Sequence, residues 1–218
     1  MKNTLWVDAY NPKKIDDYLW YDKKQLELVS GWVKQKDIPH LLLSGDPGTG
    51  KTSLVKLLKS ELKCSDYNFF EINGSKVRDK DDLQKILDES TKYICGAWGG
   101  DAGGYSKLIV LIDECDQLKE ASMKMLRGEI EATQNHVRWC FTCNDTKKIP
   151  APILSRVTHL KYSKLQLNIF TAHMQYILDN EKIDYTPKLL KAYANRYYSD
   201  VRKCISELQN NTIDGKLN

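Results

Sequence analysis

The sequence lacks the features that would place a protein in or across a membrane. No uninterrupted apolar run approaches the roughly 18 residues that a transmembrane helix needs, and the N-terminus, MKNTLW, does not contain the apolar core of a secretion signal. With 218 residues, of which 41% are hydrophobic and 28% charged, the chain suffices for one large core or for a main domain and a small one. We expect a globular protein that is not secreted and has no membrane partner.

The sequence also lacks clustered cysteines and a strong charge of either sign. Its six cysteines are dispersed in a chain too large to need disulfides, so we expect reduced thiols. Only Cys140 and Cys143 have a metal-like spacing, but in a strand this odd offset points their side chains to opposite faces, and no second pair completes a zinc site. The net charge of +4 neither requires nor excludes an anionic partner such as DNA.

What the sequence does contain is a complete phosphate-binding loop, G-x-x-x-x-G-K-[ST], at residues 45–52. The apolar run 40–44 before it predicts a buried strand, and leucines at helical spacing over 53–62 predict a helix after it. In such a loop Lys51 reaches the β- and γ-phosphates, Thr52 binds Mg²⁺, and the helix N-terminus adds positive charge. The predicted nucleotide-binding residues are Asp46, Pro47, Gly48, Thr49, Gly50, Lys51, Thr52 and Ser53.

Strands and helices alternate up to about residue 162, and only helices are predicted after it. The run 108–112 is continuously apolar, as in a parallel strand that helices cover on both faces. We therefore predict an α/β core at 1–162 with a parallel sheet flanked by helices, a helical lid at 163–212 and a tail at 213–218. The glycine-rich stretch 96–104 predicts a flexible surface loop.

Two acidic residues follow the apolar strand 108–112. Asp113 is placed to orient the Mg²⁺ that Thr52 also binds, because ligands bind at the carboxyl ends of parallel strands. Successive strand residues point to opposite faces, so Glu114 is expected to have a different role, that of a general base that polarises an attacking water. The alternative is that both carboxylates only cap the edge of the sheet.

Three polar residues outside the loop have two interpretations each. Asn144, after the predicted strand 137–143, either positions the attacking water and senses the γ-phosphate or caps a turn. Arg156 either stabilises charge on the γ-phosphoryl group of a neighbouring subunit's nucleotide or forms a surface ion pair. Arg202, at the start of the last helix, has the same ambiguity.

Two segments carry possible ligand contacts of another kind. Residues 1–21 are rich in tyrosine and tryptophan, and either pack across the nucleotide side of the core or form a plain hydrophobic anchor. Residues 74–80 include Ser75, Lys76 and Arg78 at a predicted helix start. Such a position favours binding of DNA backbone phosphates, although a solvated helix start has the same composition.

Taken together, these motifs resemble those of the ATPase subunits of sliding-clamp loaders in the AAA+ superfamily, over residues 5–218. The chain looks like replication factor C small subunits and, more closely still, like the ATPase subunit of tailed-phage clamp loaders. Residues 5–12 are similar to the family's opening segment, which ends in Tyr-Arg-Pro and lies against adenine. The resemblance implies that Tyr10 and Pro12 contact the base.

The resemblance also implies a role for each polar residue of the site. It assigns magnesium to Asp113, the catalytic base to Glu114, the first sensor to Asn144, an arginine that acts in a neighbouring subunit to Arg156, and the lid's second sensor to Arg202. The nucleotide would be ATP with Mg²⁺.

The residues that grip the template strand in the family correspond to the stretch around Ser75, Lys76 and Arg78. The implied function is to use ATP to open and load a sliding clamp on primer-template DNA, together with other loader subunits in a pentamer. The alternatives are another AAA+ replication ATPase, a helicase or initiator, or a nucleotide-binding assembly subunit with little catalysis. The expected location is the cytoplasm, that of the host for a phage protein, or the nucleus for a eukaryotic one.

The sequence departs from the family pattern at several points. Asn11 replaces the arginine of the opening segment, which removes a guanidinium near adenine, and Val157 replaces a cysteine. The family continues into a helical collar that holds the pentamer together, and we expect that collar to be absent here. Either the sequence is a piece of a longer chain, or it is a shortened form whose assembly surface lies elsewhere.

Overall fold

The computed structural model describes residues 4–94 and 105–218, and the predicted glycine-rich loop 96–104 lies outside the described residues. Its five longer strands are β1 (Leu41–Ser44), β2 (Phe69–Asn73), β3 (Leu108–Asp113), β4 (Val137–Cys143) and β5 (Thr158–Lys161). They form one parallel sheet in the order β2-β3-β4-β1-β5. The predicted α/β core with a parallel sheet is confirmed.

Helices cover the sheet and form the lid. The helices that precede β5 are α1 (Trp6–Ala9), α2 (Lys23–Gln35), α3 (Lys51–Glu61), α4 (Lys80–Ile94), α5 (Glu120–Thr133) and α6 (Ala151–Leu154). The lid helices are α7 (Leu167–Asn180), α8 (Pro187–Arg196) and α9 (Val201–Asn210). Among the described residues, none of these helices has the length and apolar character needed to span a bilayer.

The sheet is buried on both faces because its side chains alternate between two apolar clusters. In β1, Leu41 and Leu43 belong to one cluster and Leu42 to the other. In β4, Cys140 and Cys143 likewise lie on opposite faces, as the sequence predicts. All five described cysteines are buried and free of disulfides.

The lid shares one of these clusters with the core. Leu165 and Phe170 pack in the same apolar cluster as Leu41 and Leu43 of β1. Tyr198, just before α9, donates a hydrogen bond to the carbonyl oxygen of Leu165. Burial of apolar side chains therefore holds the lid against the core.

The stretch predicted as a tail instead folds back on the lid. Strands β6 (Thr212–Ile213) and β7 (Lys216–Leu217) form an antiparallel hairpin. Its turn contains Asp214 and Gly215, both with positive φ, and Asp-Gly between short strands is a strong hairpin signal. The backbone N–H of Leu217 donates to the carbonyl oxygen of Asp184 at 2.9 Å, so the hairpin is part of the lid.

Asp37 links the entry to β1 with the starts of β3 and β4. Its carboxylate accepts hydrogen bonds from Lys107 at 2.5 Å, from Arg138 at 2.9 Å and from the Tyr105 hydroxyl at 2.8 Å. Burial raises the pKa of Asp37, but the hydrogen bonds from Arg138, Lys107 and Tyr105 outweigh it and hold the pKa well below its usual value. The folded chain therefore favours the ionised carboxylate.

We predict that Asp37→Asn lowers the free energy of unfolding at pH 7 by about 1–2 kcal/mol. This figure is discounted for solvent screening because the Asp37 side chain is 42% exposed. Asp66→Asn is the matched control, since it removes an ion pair whose aspartate is 92% exposed and should change stability little. Urea unfolding followed by tryptophan fluorescence measures both variants.

The effect of Asp37→Asn should depend on pH. A lowered pKa in the folded state stabilises the protein fully above the unfolded-state pKa of about 3.9, and this stabilisation is lost as the pH falls below that value. The difference from the wild type should therefore begin to shrink near pH 4 and continue to shrink as the pH falls toward the lower folded-state pKa. Equal stability of the two proteins at pH 7 would contradict the role assigned to Asp37.

Candidate functional site

The phosphate loop runs from the end of β1 to the start of α3, as the sequence predicts. Gly45 and Gly48 both have positive φ, 149° and 73°, and both are closely packed. A Cβ atom on Gly45 would lie 2.4 Å from the carbonyl oxygen of Tyr162, and one on Gly48 would lie 1.9 Å from Oδ1 of Asp200. The loop is thus enclosed by the end of β5 on one side and by the lid on another.

Lys51 lies at the centre of the site. Its Nζ donates to the carbonyl oxygens of Gly45 at 2.7 Å and Asp46 at 2.9 Å, and to Oδ1 of Asn144 at 3.0 Å. Burial lowers the pKa of the Lys51 amine, and the nearby charges of Cys143 and Asp113 oppose that shift. The structure brings Asn144 to the phosphate loop, next to the lysine, and all three acceptors are neutral oxygens that a phosphate can replace.

The side chains of Thr52 and Asp113 are also in contact. The Thr52 hydroxyl donates to Oδ1 of Asp113 at 2.8 Å, and the Thr142 hydroxyl donates to the same oxygen. Within residues 4–94 and 105–218, no cluster of three His, Cys, Asp or Glu side chains is arranged to hold a metal. A hydroxyl and one carboxylate suit Mg²⁺ because this ion takes its other ligands from water and substrate phosphates.

Glu114 differs from Asp113 in its surroundings. Its backbone is in the left-handed region, with φ 55°, a conformation that costs free energy and is common at functional sites. Its N–H donates to Oγ1 of Thr142 at 3.0 Å. In the described part of the chain, its exposed carboxylate makes no hydrogen bond or ion pair, so it is free to contact water.

The lid reaches the loop through the N-terminus of α9. Asp200 caps this helix by accepting from the Lys203 N–H at 2.9 Å, and the same carboxylate lies against Gly48. Arg202 is on the exposed first turn of α9, and its guanidinium makes no hydrogen bond or ion pair among the residues described. It is therefore free to bind a ligand, while Asp200 is a contact that sequence reasoning missed.

The aromatic N-terminal segment contacts the backbone of the phosphate loop. The Tyr18 hydroxyl donates to the carbonyl oxygen of Gly50 at 3.1 Å and lies 2.9 Å from the hydroxyl of Tyr162. The Tyr21 hydroxyl donates to the carbonyl oxygen of Thr49 at 3.0 Å. Sequence reasoning did not assign these tyrosines to the site, although the aromatic content of residues 1–21 was the available signal.

Tyr10 and Pro12, the predicted base contacts, lie in the same segment. The Tyr10 hydroxyl donates to Oε1 of Glu181 at 2.9 Å, and its ring packs edge-on against Tyr176. Pro12 is half-buried. This part of the segment therefore contacts the lid helix α7, and adenine binding by either residue stays a prediction.

Arg156 lies apart from the phosphate loop of its own chain. Its Nη2 pairs with the carboxylate of Glu131 in α5, and its Nη1 donates to the carbonyl oxygen of Pro152 at 2.6 Å. None of its hydrogen bonds or ion pairs with described residues reaches the loop. A role for Arg156 at a γ-phosphoryl group therefore stays a prediction.

The predicted DNA contacts lie on an exposed turn after β2. Ser75, Lys76 and Arg78 are all exposed, and Ser75 is fixed by hydrogen bonds to Oδ1 of Asn73. Gly74 packs against the neighbouring Glu114 backbone so closely that a Cβ atom would lie 2.6 Å from its carbonyl oxygen. The turn and the candidate base are thus in direct contact.

The sequence matches a known protein family and several named relatives. Residues 41–165 match the family described as "ATPase family associated with various cellular activities (AAA)". The chain is similar to the replication factor C small subunit of Sulfurisphaera tokodaii, with 33% identity over 215 residues, 98% of this chain and 64% of the relative. For the same subunit of Picrophilus torridus the identity is 32% over 207 residues, 94% of this chain and 63% of the relative. The chain spans a little under two thirds of these relatives.

Solved structures show the same fold. The Holliday junction branch migration motor RuvB of Thermotoga maritima superposes with a TM-score of 0.72, covering 93% of this chain and 64% of the RuvB chain. A T158V variant of that protein gives a TM-score of 0.73. The sequence identity is 20% in both, so this likeness concerns the fold alone.

We predict that Lys51→Ala weakens ATP binding by at least about tenfold, because it removes a buried ammonium that contacts the loop and Asn144. Lys56→Ala is the matched control: this lysine lies on the same helix, but is exposed and pairs with Glu71 at 2.9 Å. Titration with a fluorescent ATP analogue measures both affinities. Equal affinities for the two variants would remove Lys51 from the nucleotide site.

Proposed function

Because this chain belongs to the AAA family of ATPases, we propose that it is the ATPase subunit of a DNA sliding-clamp loader. The observation that carries the proposal is that the candidate residues lie in two separate places. Lys51, Thr52, Asp113 and Asn144 are joined by hydrogen bonds at one sheet edge, while Arg156 has its contacts elsewhere. Similarity to subunits named for replication factor C supports the choice of a clamp loader within the family.

The substrate is ATP with Mg²⁺. Residues 45–53 would enclose the phosphates, and the γ-phosphate would replace the neutral acceptors of Lys51. Thr52 and Asp113, already joined by a hydrogen bond, would hold Mg²⁺, which neutralises charge on the phosphates when it is bound. Tyr10 and Pro12 would contact the adenine.

Hydrolysis requires residues from two chains. Glu114 acts as the general base for the attacking water and Asn144 orients that water beside Lys51. Arg156 acts at the γ-phosphoryl group of a neighbouring subunit, where an arginine stabilises the charge that develops on transfer. The isolated chain should therefore bind ATP but hydrolyse it slowly.

The lid couples nucleotide binding to motion. Arg202 is free to bind a γ-phosphate that Lys51 also binds, which would tie the lid to the core. Asp200 already touches Gly48, so a phosphate in the loop brings negative charge next to this carboxylate and changes the contact between lid and loop. Binding and loss of the γ-phosphate would thus shift the lid.

DNA would act on the same site through the turn after β2. Ser75, Lys76 and Arg78 are exposed donors for the backbone of the primer-template DNA. Because Gly74 packs against the Glu114 carbonyl, a shift of this turn on DNA binding would move the base. This contact supports DNA-stimulated hydrolysis. No observation on the described residues favours the alternatives, which are a helicase, an initiator or a subunit without catalysis.

We predict that Arg156→Ala leaves ATP affinity unchanged but reduces clamp- and DNA-stimulated hydrolysis by about 10³-fold or more. Glu114→Gln should have the same two effects because it removes the base. Arg196→Ala, which removes an exposed arginine of the lid, serves as the control. Steady-state ATPase assays of the full natural chain, alone and with clamp and primer-template DNA, give the rates. Stimulated turnover that persists in Arg156→Ala would refute the role in a neighbouring subunit.

A further inference from the structure

Arg156 is held in a cradle of three acceptors on its own chain. Its Nη2 donates to the Glu131 carboxylate, and its Nη1 donates to the carbonyl oxygen of Pro152 at 2.6 Å and to Oγ of Ser155 at 3.1 Å. The Arg156 side chain is only 31% exposed, whereas that of Glu131 is 50% exposed. The guanidinium is therefore fixed at the surface rather than extended into solvent.

The three acceptors bind only the Nη1 and Nη2 atoms of the guanidinium. Arginine has five N–H donors in a rigid planar fork, and within the described chain the Nε–H of Arg156 has no acceptor. The Nε–H and one Nη2–H lie along one edge of the fork, and such an edge matches two oxygens of a phosphate. Arg156 can thus bind a phosphoryl group without leaving Glu131.

Glu131 lies between two arginines. Arg127, one helical turn earlier, has its Nε 3.7 Å from Oε1 of the same carboxylate. The three side chains together carry one net positive charge, so they attract a phosphate rather than repel it. Both side chains of the Arg127–Glu131 pair are at least half exposed, and exposed pairs of this kind contribute little to stability.

We propose that Glu131 is a positioning residue for Arg156. Its carboxylate accepts one N–H of Nη2, while the Nε–H and the other Nη2–H bind the γ-phosphoryl group in the neighbouring subunit. The inference rests on the proposed function, because the second subunit supplies the nucleotide. Without Glu131 the arginine would sample more rotamers, and fewer of them would direct its fork at the phosphoryl group.

The test compares two substitutions of the glutamate in the clamp- and DNA-stimulated ATPase assay. We expect Glu131→Ala to lower kcat about tenfold or more, with Glu131→Gln intermediate because it keeps an oxygen acceptor without the charge. The KM for ATP should change by less than about twofold, since each chain's own phosphate loop is intact. Glu120→Ala is the control: it removes an exposed ion pair with Lys124 on the same helix and should keep wild-type turnover.

A double-mutant cycle shows whether the glutamate acts through the arginine. In an Arg156→Ala background, Glu131→Ala should have no further effect on the stimulated rate. If Arg156→Ala is defective but Glu131→Ala resembles Glu120→Ala, the inference fails and the proposed function stands. If Arg156→Ala keeps full stimulated turnover, the role in the neighbouring subunit fails as well. A higher kcat in Glu131→Ala would also overturn the inference, because the glutamate would then restrain the arginine.

Thermal unfolding of each variant separates loss of activity from loss of folding. Both Glu131 variants should melt within a few degrees of the wild type, since the ion pair is exposed. If Glu131→Ala does not fold, the more conservative Glu131→Gln carries the comparison with Glu120→Ala. A Glu131→Gln protein with wild-type kcat and an unchanged response to the Arg156 substitution would then reject the proposal.

Discussion

The site depends on one buried positive charge, the Lys51 ammonium. This residue is only 8% exposed, and its hydrogen bonds go to two carbonyl oxygens and one amide oxygen. Neutral oxygens compensate the loss of hydration of an ammonium only in part, which explains why burial lowers the pKa of Lys51. A phosphate group would supply a negative charge in direct contact with this ammonium. The folded loop therefore favours an anionic ligand before any nucleotide is bound.

The contacts that hold the phosphate loop explain how a bound phosphate would affect the position of the lid. The loop cannot move without breaking the hydrogen bonds that the hydroxyls of Tyr18 and Tyr21 donate to its carbonyl oxygens. On the other side, Asp200 brings the lid into contact with Gly48. Because the loop is held in place and the lid touches it through a carboxylate, gain or loss of a bound phosphate would move the lid rather than the loop. Under the proposed function, the catalytic set is complete only when a neighbouring subunit supplies an arginine.

Much of the fold and part of the site followed from local sequence patterns. Continuous apolar runs predicted the strands at 40–44 and 108–112, and leucines at helical spacing predicted the helix after the loop. The carboxyl-end rule for parallel strands predicted that Asp113 lies close to Thr52, as their hydrogen bond shows. The family resemblance was needed to interpret Arg156 and Arg202. Contacts that depend on how the lid and the N-terminal segment dock, such as Asp200 against Gly48 and Tyr18 against Gly50, were missed because periodicity carries no information about docking angles. Thr142 was missed because a threonine in a buried strand resembles any other β-branched core residue.

The central claim is that the catalytic site is shared between two chains. The most direct test mixes Glu114→Gln chains, which keep Arg156 but lack the base, with Arg156→Ala chains, which keep the base but lack the arginine. Clamp- and DNA-stimulated ATP hydrolysis is measured for each variant alone and for the mixture. The account predicts that the mixture regains a clear fraction of wild-type activity, since an intact base then meets an arginine from its neighbour. A mixture no more active than the sum of its two inactive components would contradict it.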